Sequence, residues 1–441
     1  MKITNDNSFN FNNKVKYDFD GGNLTSDAGL LLLKEFYHKL DLETILKECF
    51  QTTDPGHVRI HKDYKNLLQA IFQITLAYFQ DCDAGALRND PAMIAAVGKE
   101  KLASQPTMSR FYNRMDKITV EQLNNISCIL RNKIYTIEHP EQVLFDLDTT
   151  LFATYGNQEG AAFNYHYQAD GYHPLLCFDG LTGDLLKAEL RPGAMYCCKG
   201  VADFMRPLIE SFQAEHPDIP RFLRADSGFA TNELYSLCET NGTAYVIRLK
   251  SNPVLKRLAG ELDTELYKIT KKDLLSPAVV YGEFLYQAGS WEYERRVICK
   301  IEKPEGQMIH LFTFLVTNME SSPEDMIRFY CKRGKMENFI KECKNGFDMD
   351  YASSSTEIVN ENRMLIHALA YNLFNWFRRL VLPETMKKER VGVIRLKLMK
   401  IAAKIVCTSR YIFFKICSYY PYKEAFRQTM RNIHQLQICV N

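Results

Sequence analysis

The segment Tyr330–Lys344, YCKRGKMENFIKECK, collects at helical spacing residue types that can bind phosphate and metal ions. Upstream, Ser322-Pro323-Glu324-Asp325 supplies a capping hydroxyl, a proline for the first turn and acids suited to a helix N-terminus. Gly346 is the expected stop. At about 100° per residue, Tyr330, Arg333, Glu337 and Lys344 fall at about 0°, −60°, −20° and −40° on the helical wheel. Phe329, Met336, Ile340, Cys343 and Phe347 fall together at about −80° to −140°, the stripe that would face a core. One narrow strip therefore carries an aromatic, two cations and a carboxylate beside a buried edge. A helix lying on a sheet can aim such an acid into a cleft. The competing reading is a solvated face with a chance mixture of charges.

The spacing of that strip resembles the Tyr-Arg-Glu-Lys signature of a large group of bacterial insertion-sequence transposases. The resemblance implies that Glu337 is the third member of an Asp-Asp-Glu metal site on an RNase H-like fold. It therefore requires two upstream aspartates, each at the end of a strand, and the chain supplies Asp148 and Asp226. Asp148-Thr149-Thr150 matches the family's Asp-x-Thr after a hydrophobic strand, and RADSGF (Arg224–Phe229) matches its second block. QEGAAFNYHY (Gln158–Tyr167) looks like a further family block, without an assignable role. The likeness runs from about Val143 to Lys344, with weaker likeness in the N-terminal helices. Asp146 shares a strand face with Asp148, and alternation alone cannot separate the two; the Asp-x-Thr context favours Asp148.

Three crowded carboxylates raise one another's pKa, a cost that a divalent cation removes. Hard oxygen ligands with open positions suit Mg²⁺ or Mn²⁺, and two such ions can activate water and steady a leaving 3′ oxygen. Arg333 can grip a phosphate in a fork, Lys344 acts as a point charge, and Tyr330 can hydrogen-bond or stack. The resemblance implies that these residues hold DNA beside the cut. It also implies that members with a β-strand insertion capture a flipped base on an aromatic from that insertion, for which Trp291 is the candidate. A hairpin-core aromatic is the competing reading of Trp291.

The elements that must position these residues are those of an α/β protein. The chain has 441 residues, 46% hydrophobic and 24% charged, which excludes a disordered or fibrous protein. MKITNDNSFNFNN has no apolar signal core, and the longest apolar run, Met364–Phe377, is too short to span a bilayer. Thirteen cysteines without CxxC spacing read as reduced thiols, so the expected location is the bacterial cytoplasm or nucleoid. Zinc would need His57, His61 and Cys49 joined by the distant Cys82, a set too scattered to favour. Net charge is +2, but from Asn375 onward 14 Lys or Arg face 3 Glu, a local +11. With interleaved aromatics such a tail can follow a phosphate backbone; solvated cations on a helical domain are the alternative.

The expected architecture is an RNase H-like mixed-sheet core interrupted by a β-rich insertion and flanked by helical N- and C-terminal regions. Residues 1–138 read as helical and DNA-binding, with Ser104–Met115, carrying Arg110 and Arg114, as a weak candidate recognition helix. Residues 139–250 give the order strand, hairpin, helix, strand, helix, strand that such a core needs. Residues 251–309 read as the insertion, with paired strands around Ala288-Gly289-Ser290. Residues 310–376 return to the core with the signature helix, and 377–441 read as a basic region, helical to its end. The resulting expectation is a cut-and-paste DNA transposase. Its partners are double-stranded DNA, as terminal inverted repeats and target, and a second copy of itself in the DNA-bound complex; no membrane is involved. A metal-dependent nuclease without strand transfer, and a non-catalytic DNA-binding descendant of a transposase, are the alternatives.

Overall fold

The computed structural model describes residues 7–54, 59–271 and 275–437. The chain divides into two compact units. The larger comprises residues 52–54 and 112–375 and holds every residue proposed for chemistry.

This unit opens with helix α1 (Lys117–Ile137), started by a capping box between Asp116 and Thr119. Strand β1 (Val143–Thr149) follows, then β2 (Leu175–Asp179) and β3 (Leu185–Glu189) as a hairpin, and helix α2 (Val201–Glu215). Strand β4 (Arg221–Ala225), helix α3 (Asn232–Thr240) and strand β5 (Ala244–Leu249) complete the first part. Strands β6 (Ala278–Tyr286), β7 (Arg295–Lys303) and β8 (Leu311–Thr317) come next. Helices α4 (Pro323–Cys331), α5 (Gly334–Phe347) and α6 (Glu357–Val381) close the series; α6 leaves the unit after Asn375.

One sheet of eight strands runs β6-β7-β8-β5-β4-β1-β2-β3. β1, β4 and β5 are parallel neighbours, and β2 is antiparallel to β1. The order β3-β2-β1-β4-β5 is that of an RNase H-like core. The strands expected to form an insertion extend this sheet rather than interrupting it, because β8 pairs with β5 on one side and β7 on the other. Two helices, Pro253–Leu258 and Gly260–Thr270, precede them, and the sequence reading had no helix there. Asn252, whose side chain caps Leu255, followed by Pro253, was the available signal.

Both faces of the sheet are covered, as a sheet with a parallel centre requires. Phe145, Leu147 and Leu223 pack with Val201, Phe204, Ile209 and Phe212 of α2. On the opposite face Val246, Ile298 and Leu315 meet Met326 and Ile327 of α4. Phe178 there lies 5.9 Å from Phe339 and 6.2 Å from Tyr371, ring to ring. Each such ring or aliphatic chain, fully buried, contributes about 1.5–3 kcal/mol. Asp146 and Asp148 of β1 and Arg224 of β4 lie on this second face, where Arg224 reaches the Phe329 carbonyl of α4.

The smaller unit comprises residues 1–51, 55–111 and 376–438. Helices Leu30–Lys39, Asp63–Thr75 and Pro91–Val97 build it, and Phe377 meets Phe36 at 5.7 Å in its core. The C-terminal region is not helical to its end. Ala403–Cys407 and Ile412–Ile416 form an antiparallel hairpin to which Leu24–Thr25 adds a third strand, and Lys423–Gln435 is a helix. The alternating, β-branched and aromatic runs AKIVC and IFFKI favour that outcome over a helix. Among the described residues no helix is long and apolar enough to cross a membrane.

Candidate active site

The two aspartates are brought together by register. β1 and β4 run parallel with Phe145 beside Leu223 and Asp146 beside Arg224, an offset of 78 residues. Carried past the end of β4, the same offset leads towards Asp148 and Asp226, and the Asp148 carboxyl feels the charge of Asp226. Asp226 closes the strand as a cap whose Oδ1 accepts from the Gly228 amide at 2.8 Å. Burial pushes the Asp148 carboxyl above its ordinary pKa; the Arg333 guanidinium pulls it back, and the charge of Asp226 adds to the rise.

Register also separates Asp146 from Asp148. Asp146 is fully buried and takes a two-pronged hydrogen bond from Arg224, at 2.7 and 2.6 Å. Both its oxygens are engaged by an internal partner. Asp148, at 18% side-chain exposure, is the strand acid that reaches solvent.

The signature segment is two helices, α4 and α5, rather than one. Between them the bonds tighten to i→i−3: Arg333 donates to Tyr330 O (2.9 Å), Lys335 to Lys332 O (3.3 Å) and Met336 to Arg333 O (2.9 Å). Each residue so wound turns about 20° further than in an α-helix, so a strip shared by Tyr330 and Glu337 on a straight helix is broken. Gly334, a poor helix former, sits in the break. The expected stop at Gly346 is passed as well. α5 runs to Phe347 and ends on Asp348 in the left-handed conformation (φ 53°). The buried stripe of Met336, Ile340, Cys343 and Phe347 stands as the spacing implied.

The break decides which signature residues meet the aspartates. Arg333 is 16% exposed; its Nη2 lies 3.0 Å from Asp148 Oδ2 and donates to Leu147 O at 2.9 Å. Burial works against its charge, but Asp148 and then Asp226 hold its pKa above the ordinary value. Lys344 donates to Leu151 O (2.8 Å) and pairs with Asp350 (3.3 Å). Tyr330 is part-buried and feels Arg333 most strongly among neighbouring charges. Glu337 is not in this group. Its side chain is 66% exposed, with Lys341 3.8 Å away one turn on.

Among the described residues no three His, Cys, Asp or Glu side chains are placed to hold a metal ion. His57 lies outside the described residues. Asp148 and Asp226 fit a hard divalent cation by donor chemistry and mutual repulsion. Trp291 is 7% exposed, between the rings of Tyr235 (5.4 Å) and Tyr286 (5.4 Å) with Arg295 over it, the surroundings of a hairpin-core aromatic. Arg110 is exposed on the helix Gln105–Tyr112, whereas the Arg114 side chain turns to Thr52 (3.4 Å) and Asp54 (3.7 Å).

Two residues escaped the sequence reading. Arg224 ties Asp146 to the Phe329 carbonyl (2.6 Å), joining β4 to the signature segment; its place two residues before Asp226 was the signal. Tyr167 donates to Thr149 O at 3.2 Å, and its pKa is raised by burial and then by Asp148. It lies in the Gln158–Tyr167 block. Leu147, Thr149 and Leu151 thus present alternate carbonyls to Arg333, Tyr167 and Lys344.

Carboxylates at adjacent strand ends of an RNase H-like sheet, with an arginine against them, suit an enzyme that cleaves or transfers nucleic-acid strands. The chain belongs to the family described as Transposase DDE domain group 1, which matches residues 7–438, and it is a DNA transposase by that membership. Members of that family generally use divalent metal ions. No curated protein sequence matches it. One similar solved structure is the piggyBac transposase synaptic complex with hairpin DNA, at 13% identity over 85% of this chain and 80% of that one, with a TM-score of 0.40.

Proposed function

We propose that this chain is a cut-and-paste transposase of the bacterial insertion-sequence group with the Tyr-Arg-Glu-Lys signature, acting on the terminal inverted repeats of its own element. The pairing of Asp148 with Asp226 beside Arg333, in a chain of this family, carries the reading. Asp148 and Asp226 would hold Mg²⁺ or Mn²⁺, with Glu337 as third ligand. A metal held there would supply activation of an attacking water and stabilisation of the leaving 3′ oxygen. Arg333 and Lys344 fix the carbonyls on either side of Asp148 and so hold its strand end steady, while their charge favours a phosphate nearby. Glu337 stands in the first turn after the tightened stretch, so rewinding of that stretch alters where it points. Cutting two ends and joining them at one target calls for at least two copies on the DNA.

The test is incubation of the purified chain with an end-labelled duplex ending in the repeats that flank its gene, plus a supercoiled target plasmid. Cleavage to a 3′-OH and joining to the plasmid are expected with Mg²⁺ or Mn²⁺, and binding without cutting with Ca²⁺. Undiminished cutting after exhaustive EDTA treatment removes the metal assignment. Cutting without joining reduces the protein to a nuclease.

The hairpin of the smaller unit supplies a second expectation. Lys404 and Lys415 are directly opposite each other across Ala403–Cys407 and Ile412–Ile416, a like-charge pair that a bound anion relieves. Arg410 lies in its turn and Tyr411, Phe413 and Tyr419 are exposed nearby. Replacing Lys404, Arg410 and Lys415 together by Gln should lower the slope of log K against log salt by about 2–3 and weaken binding at 0.1 M salt by more than tenfold. An unchanged slope in the folded triple variant makes these cations solvated surface only.

A further inference from the structure

The eight-stranded sheet has two edges, and they are finished differently. At β3 the edge is closed from α6. The Asn372 side chain accepts from the Leu185 amide and donates to the Leu185 carbonyl, each at 2.8 Å. Asn375 adds a bond to the Thr182 carbonyl (3.2 Å) in the turn before the strand. At β6 the edge is open. Among the described residues, the backbone of Ala278–Tyr286 bonds to β7 alone, so the peptide groups on its outer side are left to water.

Such an edge pairs readily with another chain, and proteins ordinarily prevent this with a lysine, a proline, a bulge or a very short strand. β6 has none of these. It is nine residues long, AVVYGEFLY, without proline or a basic residue. Its register with β7 is unbroken from Ala278 beside Lys303 to Tyr286 beside Arg295. Its one charge, Glu283, is drawn back towards the sheet by Arg296 of β7, whose Nε donates to Oε2 at 3.1 Å. Val279 and Leu285, on the same face as Glu283, are 43% and 58% exposed.

The strand is also complementary to itself. Two copies paired antiparallel about an axis at Gly282 set Val279 opposite Leu285, Val280 opposite Phe284, Tyr281 opposite Glu283 and Ala278 opposite Tyr286. All nine residues are then paired, the two exposed apolar side chains meet, and the carboxylate faces a phenol. Other registers are poorer. A slip of one residue opposes side chains that belong to different faces. A slip of two residues one way sets Glu283 against its own copy, a like-charge pair, and the other way leaves Leu285 and Tyr286 beyond the partner strand. The matched register adds about eight to ten interstrand hydrogen bonds, close to the about ten of an ordinary protein interface. Because β3 is covered by α6, the association closes at two copies and does not run on as a filament.

We propose that β6 is a self-association edge, through which two copies of this chain form a two-fold dimer with one continuous sheet centred on Gly282. The occupant is a second copy because the complementarity is to the strand's own sequence and charge. The dimer is a property of the free chain: it stands on the sheet edge and not on the transposase reading, to which it offers a surface for a second copy.

The test is sedimentation equilibrium of the full chain without DNA. Wild type should be dimeric at about 20 µM, as a dissociation constant of about 1 µM or below requires. Val279→Lys combined with Leu285→Lys sets lysines opposite each other on both sides of the axis, and should raise the dissociation constant at least about a hundredfold. Val279→Lys combined with Leu285→Glu sets opposite charges at the same places, and should dimerise within about tenfold of wild type. Both positions are exposed, so these variants fold, as circular dichroism will verify. A monomeric wild type overturns the proposal. So does a double-lysine variant that stays dimeric, which would move the interface elsewhere. An equal loss in both double variants overturns it too, since the edge would then serve another register or a partner of different sequence. The readout needs neither DNA nor metal, so each of these outcomes leaves the transposase reading standing. A wild type that dimerises but does not cut DNA sinks that reading alone.

Discussion

Asp146→Asn should destabilise the larger unit by about 3–5 kcal/mol, because it leaves the Arg224 guanidinium charged and unpaired in a dry interior. Asp148→Asn, two residues along the same strand, should leave the fold intact, since that side chain is partly exposed. The contrast follows from burial: Asp146 and Arg224 are 0% and 1% exposed, with two hydrogen bonds between them. Arg224→Met alone should be comparably costly. The double variant Asp146→Leu with Arg224→Met should recover most of the lost stability, as buried pairs replaced together by apolar chains commonly do. Cleavage should not recover with it, because Arg224 also donates to the Phe329 carbonyl and so fixes the segment that leads to Arg333. Urea unfolding of the four proteins gives the coupling directly. A loss below about 1 kcal/mol in Asp146→Asn would mean that the pair is solvated and that its burial has been misjudged.

The residues that sequence made legible are those whose role depends on short-range pattern. Alternation in VLFDLDT and RFLRA located both strands, and it put Asp146 with Asp148 and Arg224 with Asp226. Alternation cannot say which of two acids on a face is buried; that depends on the neighbouring strand, and Arg224 opposite Asp146 decides it. The spacing of Met336, Ile340, Cys343 and Phe347 located the buried face of α5, since burial tolerates some error in angle. The polar strip was less forgiving. Three hydrogen bonds around Gly334 shift from i→i−4 to i→i−3, and Glu337 stands exposed while Arg333 meets Asp148. Strands β6 and β7 were legible as strands but not as part of the central sheet, whereas β8 was read as a return to it. Strand pairing over such separations is set by the completed core and not by local sequence. The terminal hairpin was missed for a related reason: between basic residues, five-residue β runs are too short to outweigh a helical context by eye.

Glu337→Gln should abolish strand cleavage, by at least about a thousandfold, while changing stability by less than about 0.5 kcal/mol. Its exposure makes the test unusually clean. The side chain is two-thirds in water with only Lys341 beside it, so the amide removes no packing and strands no buried partner. A large loss of activity can then arise only from chemistry that the carboxylate performs with DNA and metal bound. Asp148→Asn and Asp226→Asn should fall by a similar factor, as members of one set do, and combining any two should cost little more. Arg333→Ala should behave differently. It removes charge-assisted contacts to Asp148 and to the Leu147 carbonyl, so end binding and cutting should both weaken by about ten- to a hundredfold. Arg333→Lys should restore part of the loss, because one nitrogen, Nη2, makes both contacts and an ammonium offers three donors. Gel shift in Ca²⁺, cleavage in Mg²⁺ and thermal unfolding separate these roles in one series. If Glu337→Gln cuts near the wild-type rate, the outward position of Glu337 is its working position, and the third carboxylate of the site has to come from another part of the chain.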